Sequence, residues 1–302
     1  MKKMIVIAGP TASGKTALAV ELAKRYGTEI ISADSRQFYK EMSVGTAKPL
    51  PDEMQGIKHH FIGSHSVQTP LSAGQYEKKV LELTEKLFKK YDVLILTGGS
   101  GMFLDAVIYG TDNIPHSEEL RKKWNEIHEE KGLLFLQKEL EKRDPVYFEE
   151  ADIQNPVRLI RALEVMDLTG KAFSSLRKSK KAERNFKSYY FVLTHPRESL
   201  YKRIDQRVIA MMNSGLIEEV KRLSAFKNLQ ALNTVGYKEV FLFLDGEITE
   251  SEAIALIQKN TRNYAKRQMT WFRRNPEAIS LAYSSMDNML EEIHGVVISE
   301  RE

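Results

Sequence analysis

The chain contains no cysteine, which excludes disulfides, thiolate metal sites and a cysteine nucleophile. No apolar run approaches the 18 residues of a membrane span, and the apolar stretch 4–8 behind Lys2 and Lys3 is too short for a signal peptide. Internal repeats and low-complexity segments are also missing, and 42% hydrophobic with 28% charged residues sets disorder and fibrous repeats aside. Histidines are few, seven in all, and His59, His60 and His65 lack the i, i+4 spacing of a helical metal pair, so they read as structural or loop residues. What is present is 302 residues, about two domains' worth of chain. The expectation is a cytoplasmic, monomeric enzyme or binding protein with no membrane partner.

A net charge of +4 argues weakly for a polyanionic partner, but its distribution is uneven. Residues 171–210 hold 11 basic and three acidic side chains, and residues 259–274 hold six basic and none acidic. The rest of the chain is therefore acidic, at −10. Such polarisation suits a nucleic-acid backbone, although a charge run also describes a solvated face.

Residues 5–8 read as a buried strand, followed by a Gly-Pro turn and an apolar-periodic helix over 16–23. A second strand over 29–33 ends at Asp34. Ser72 is placed to cap a helix running to residue 91, and a third strand over 93–97 stops at Gly98-Gly99. Strands alternating with helices predict an α/β core, a mostly parallel sheet flanked by helices. The text turns helical over about 117–169, and a basic, Ser-rich stretch over 174–187 leads to a returning strand at 189–194. This predicts a core of residues 1–113 and 187–302, with contacting helices near its C-terminus, interrupted by a helical insertion domain over 114–186.

Gly9-Pro10-Thr11-Ala12-Ser13-Gly14-Lys15-Thr16 matches G-x-x-x-x-G-K-[ST] in full, between a strand and a helix. A phosphate-binding loop (P-loop) of this kind, common in nucleotide- and ATP-binding proteins, turns its amides inward on a diphosphate. The helix dipole adds to it, Lys15 neutralises charge and the Thr16 hydroxyl can ligate Mg²⁺. A nucleoside triphosphatase also needs a carboxylate at the end of a second strand, yet the strand over 93–97 ends in Thr-Gly-Gly. Asp34 is the carboxylate that ends a strand here, and it can be a displaced metal ligand, a turn former or a general base at the sheet edge where parallel sheets bind ligands. The motif speaks for a diphosphate more than for ATP hydrolysis.

At 100° per residue, Lys259, Arg262, Lys266 and Arg273 share one helical sector of about 60°. Ile254, Ile257, Tyr264 and Trp271 fall opposite, so Trp271 reads as core and the basic face as a surface for a nucleic-acid backbone.

The P-loop, then Ile31-Ser32-Ala33-Asp34-Ser35-Arg36-Gln37-Phe38-Tyr39, Val44-Gly45-Thr46-Ala47-Lys48-Pro49, His59-His60-Phe61 and Gly98-Gly99-Ser100-Gly101-Met102-Phe103 resemble, in order, the motifs of tRNA dimethylallyltransferases. Arg158-Leu159-Ile160-Arg161-Ala162-Leu163-Glu164-Val165, Gly236-Tyr237-Lys238-Glu239 and the block 264–273 continue the series, which covers about residues 5–274. The resemblance implies transfer of a dimethylallyl group from its diphosphate to the exocyclic amine of the adenosine on the 3′ side of a tRNA anticodon, with Mg²⁺, on a P-loop core carrying a helical insertion.

It further implies that Gly9 to Thr16 hold the leaving diphosphate, that Asp34 accepts the amine proton and reads the adenine, and that Ser35, Arg36, Gln37 and Ser100 lie at the base. Ser100 stands where the family usually has Thr. By resemblance Arg158, Arg161, Gly236, Tyr237, Lys238 and Arg267 contact the anticodon stem-loop, and Arg121 is placed there by its position after Pro115. Gln154-Asn155 replaces the family's usual Asn-Asp before Arg158, and the zinc finger of some members is absent, as zero cysteines require. Two other readings stay open: a small-molecule kinase holding ATP in the same loop, and an RNA-binding nucleotide switch, for which the N-K-x-D guanine signature is lacking.

Overall fold

A computed structural model describes residues 1–112, 114–177 and 181–299. Lys178 and Lys180 of the basic stretch, with residues 113 and 300–302 at the expected domain limits, lie outside them. The elements run β1 (Lys3–Ala8), α1 (Lys15–Tyr26), β2 (Ile30–Ser32), α2 (Pro51–Met54), β3 (His59–His60), α3 (Ala73–Leu87), β4 (Val93–Gly98) and α4 (Gly101–Tyr109). Four helices follow, α5 (Glu118–Arg143), α6 (Pro145–Glu150), α7 (Pro156–Thr169) and α8 (Phe173–Leu176). Then come β5 (Lys187–Thr194), α9 (Arg197–Asn213), α10 (Leu216–Arg222), α11 (Tyr237–Leu244), α12 (Glu250–Phe272), β6 (Ile279–Ala282) and α13 (Met286–Ile298).

The six strands form one sheet in the order β3-β2-β4-β1-β5-β6, and every pairing is parallel. Because β1 is central, both its faces are covered: Met4 and Val6 pack with α3 and α4 residues such as Val80 and Leu104, while Ile5 and Ile7 pack with Leu18 and Leu22 of α1 and Ile293 of α13. This period-2 division explains why β1 is a continuous apolar run with no alternation. Ser72 caps α3 as the sequence indicates, its hydroxyl accepting the Gln75 amide while the Gln75 side chain accepts the Ser72 amide. The edge strands β3 and β6, two and four residues long, carry too little pattern to be read from sequence.

The chain divides into one compact unit of Met1–Tyr109 with Glu183–Glu302, and another of Gly110–Ala182. Both boundaries fall four residues before the expected ones. Gly110, at φ 89, ends α4 early. On the return, Arg184 already donates to the carbonyls of Ala106 and Val107 and pairs with Glu77, and Phe186 is buried against Phe88 before β5 begins. The second unit packs α5, α7 and α8 around Trp124, Leu136, Leu140, Leu159 and Phe173. Among the described residues no helix is long and apolar enough to cross a membrane.

Candidate active site

The P-loop joins β1 to α1 and owes its shape to left-handed backbone at Ala12 (φ 61) and Gly14 (φ 96), with Gly14 capping α1. Gly9, at φ 152, is required for close approach as well: a methyl group there would lie 2.9 Å from the Leu193 carbonyl oxygen. Three side chains hold the loop's carbonyls. Arg203 Nε donates to the Ala12 oxygen at 2.7 Å, His195 Nε2 to the Ser13 oxygen at 2.7 Å, and Lys15 Nζ to the Pro10 oxygen at 2.6 Å. With these carbonyls held, Thr11 to Thr16 line the cavity.

The Lys15 pKa is lowered to about 7, chiefly by burial, with the charge of Asp34 opposing the fall and that of Arg207 adding to it. Arg207 Nη1 donates to the Thr11 hydroxyl at 3.2 Å, and burial lowers its own pKa too. Two cations are thus kept close together with little water beside one carboxylate, an arrangement that an incoming polyanion would relieve.

Asp34 follows β2, and its Oδ1 accepts the Arg36 amide at 3.1 Å. Across from it, Ser100 Oγ accepts the Ser35 amide and donates to Ser35 Oγ, both at 3.0 Å, with Tyr264 also lining the cavity. Burial pushes that tyrosine's pKa up to about 12. A methyl group on Gly98 would lie 2.4 Å from the Ala33 carbonyl oxygen, so only glycine lets the ends of β2 and β4 meet here. Gln37 donates through Nε2 to the carbonyls of Thr46 and Ala47, both at 3.1 Å. One cavity of about 940 Å³ is lined by Thr11 to Thr16, Asp34 to Gln37, Ser100, Gly236, Lys238 and Arg267.

Other expected contacts are placed differently. Tyr237 is fully buried, donating to Glu219 Oε1 at 2.6 Å, and its ring would clash with any side chain at position 45, so it is a core residue and offers RNA no side chain. Gly236 lines the cavity, but its amide is bound by Glu239 at 2.7 Å. Arg262 is paired with Asp205, so the basic face of α12 rests on the exposed Lys259 and Lys266, with the exposed Arg273 just past its end. Arg36 donates to the carbonyls of Gln230 and Ala231.

In the insertion, Arg121 and Arg161 both clamp Glu164, which is 0% exposed, at 2.8 and 2.7 Å, and Arg161 also bonds the Ile114 carbonyl. Their guanidinium groups organise that unit's interior, while Arg158 on the same helix is exposed. Asn155 caps α7 through its side chain, which accepts the Val157 amide.

Sequence reasoning missed Gln268, whose buried side chain accepts the Thr11 amide at 2.9 Å and donates to the Gly99 carbonyl at 2.8 Å, tying the P-loop to the β4–α4 turn. It also missed Arg203, Arg207 and His195, for which the excess of charge over 171–210 was the available signal. Trp271 is 38% exposed and lines the cavity, which overturns its reading as core: it sits on the flank of the buried stripe formed by Ala253, Ile257, Ala265, Gln268 and Phe272.

A P-loop at the carboxyl edge of an all-parallel sheet, opening on a cavity shared with a strand-end carboxylate, defines a P-loop protein built to handle a phosphorylated substrate. The family model described as IPP transferase matches residues 37–275. A tRNA dimethylallyltransferase from Christiangramia forsetii is 50% identical over 275 residues, 91% of each chain, and one from Cytophaga hutchinsonii is 45% identical over 277 residues, again 91% of each. The crystal structure of the full-length tRNA isopentenylpyrophosphate transferase from Bacillus halodurans superposes with a TM-score of 0.73 at 34% identity, covering 99% of this chain and 96% of that one. A eukaryotic dimethylallyltransferase solved acting on tRNA gives a TM-score of 0.80 at 25% identity, covering 99% and 79%. The chain belongs to the tRNA dimethylallyltransferase (IPP transferase) family.

Proposed function

We propose that the protein transfers a dimethylallyl group from dimethylallyl diphosphate to the exocyclic amine of the adenosine 3′-adjacent to the anticodon of tRNA. The observation that carries this reading is that the P-loop and Asp34 line one cavity in a chain of this family. In the reaction the amine nitrogen attacks C1 of the prenyl group, the C1–O bond breaks, pyrophosphate leaves with the electron pair, and a proton passes from nitrogen to the Asp34 carboxylate. An adenine amine is a poor nucleophile because its lone pair is delocalised into the ring, so help is needed at both ends.

At the leaving group, loop amides, Lys15 and Arg207 stabilise the developing charge, and each well-placed donor is worth about 3 to 4 kcal/mol. At the nucleophile, Asp34 contributes about 10² to 10⁴ in rate as general base. Ser100, bonded to Ser35, sets the wall beside it. The target base must swing out of its stack to reach Asp34. Lys238, Lys259, Lys266, Arg267 and Arg273, all exposed, are the residues we assign to the RNA backbone.

Thr16 suits a Mg²⁺ shared with the diphosphate. Among the described residues no group of three or more His, Cys, Asp or Glu could hold a metal, but Mg²⁺ commonly takes one or two protein ligands and completes its shell with substrate phosphates and water. The ion would supply charge neutralisation at the diphosphate.

The test is incubation with Mg²⁺, dimethylallyl diphosphate and unmodified tRNA, followed by nucleoside mass measurement. A gain of one prenyl unit on adenosine is the expected result. No gain, with ADP formed from ATP, would instead support a kinase.

A further inference from the structure

Most exposed tryptophans are free to turn; Trp271 is not. Its Nε1 donates to Asp105 Oδ2 at 2.6 Å, and Asp105 on α4 also accepts from Tyr190 of β5 at 3.3 Å. Burial raises the pKa of that carboxyl group while both hydrogen bonds lower it. The indole is also seated over a glycine: a methyl group on Gly101 would lie 2.2 Å from its Cδ1 and 2.5 Å from its Nε1. A largely desolvated acid and a missing side chain therefore hold in place a ring that stays 38% exposed at the cavity.

We propose that Trp271 is a stacking platform for a nucleobase next to the modified adenosine, with Asp105 and Gly101 as positioning residues that hold the indole. The proposal rests on the reading of the chain as a tRNA prenyltransferase. Three features select a base over the prenyl chain. The ring lies one residue beyond Ser100, whose hydroxyl joins the Asp34 side of the cavity through Ser35. Arg267, one turn earlier on the same face of α12, is exposed on the cavity wall and supplies a cation for a phosphate beside a stacked base. Its exposure is too great for the dry wall an apolar chain requires.

The experiment uses the full chain and an anticodon stem-loop RNA, with RNA affinity, the KM of the prenyl donor and tryptophan emission read separately. Trp271→Ala and Gly101→Ala should each weaken RNA binding about ten- to a hundredfold, with the donor KM unchanged. Trp271→Phe should keep most of the affinity. Asp105→Asn, which still offers an acceptor to the indole, should bind better than Asp105→Ala.

With the unaltered protein, RNA should quench the emission component that Trp271→Phe lacks, and an abasic nucleotide at one flanking position should abolish that quench. The quench itself is read on the unaltered protein, and Trp271→Phe serves only to separate its emission from that of Trp124. An unchanged emission, or a raised donor KM at unchanged RNA affinity, overturns the proposal, the latter by making the ring a prenyl wall. Loss of prenyl transfer by the unaltered protein, with RNA quenching intact, would instead overturn the function beneath it.

Discussion

The arginines of the insertion and those around the P-loop have opposite partners. In the insertion, Arg121 and Arg161 are bound to Glu164, and Arg143 meets Asp167 at 2.7 Å. Beside the P-loop, Arg203 and Arg207 lean on neutral oxygens, the Ala12 carbonyl and the Thr11 hydroxyl. A guanidinium already matched by a carboxylate gains little from a phosphate, whereas one held by a neutral acceptor keeps its charge for an anion. The acceptor, more than the arginine, decides which guanidinium is spent on structure and which is left to meet an anion.

Substitutions should separate the two regions. The largest effect belongs to the cavity: Asp34→Asn should lower kcat about 10²- to 10⁴-fold while tRNA affinity and thermal stability hold, as measured by single-turnover kinetics and melting. In the insertion the order is reversed. Glu164→Ala leaves two guanidinium groups without their carboxylate and should cost about 3 kcal/mol of stability by denaturant titration, the low end for a buried pair because both arginines keep some contact with water. Pyrophosphate affinity should not move.

Arg207→Met should weaken pyrophosphate binding about ten- to a hundredfold with little change in the melting temperature, read by calorimetric titration. If this variant lost stability and kept affinity, the contrast between the regions would fail.

Lys15 gives a pH signature. Its lowered pKa leaves it partly neutral above pH 7, and a bound diphosphate restores the charge, so binding takes up a proton at pH 8 and none from this group well below pH 7. Affinity should accordingly fall as pH rises through 7, by at most about tenfold per unit, and Lys15→Arg should lose that component when proton uptake is measured in two buffers. The smallest effect is at Arg262: with Asp205 as its partner, Arg262→Gln should shift the salt dependence of tRNA binding less than Lys259→Gln or Lys266→Gln, each of which removes up to about one unit of slope.

The parts of the molecule legible in the sequence are those whose causes are local. The P-loop is one, because eight consecutive residues carry both its turn geometry and its charge. Asp34 is another, since the end of a parallel strand is where a ligand sits. Gln268 was hidden because it reaches Thr11 from 257 positions away and looks like any other residue of a helix.

Tyr237 and Trp271 erred in opposite directions. A motif says that a residue matters without saying which way it faces, so Tyr237 was assigned to RNA although Glu219 holds it inside. Helical period places Trp271 on the apolar side but does not locate the edge of the buried stripe, and a ring on that edge can open onto a cavity.

Glu219 holds a loop that parallels the P-loop. Its buried carboxylate accepts the successive amides of Ser43, Val44 and Gly45 at 2.8 to 2.9 Å. Such a run of amides is an anion receptor in miniature. The fold therefore builds this kind of receptor twice. One is closed for good by an acid the chain carries itself, and it shapes the segment that orients Gln37. In the function proposed for this chain, the other exchanges its anion with solvent at every turnover.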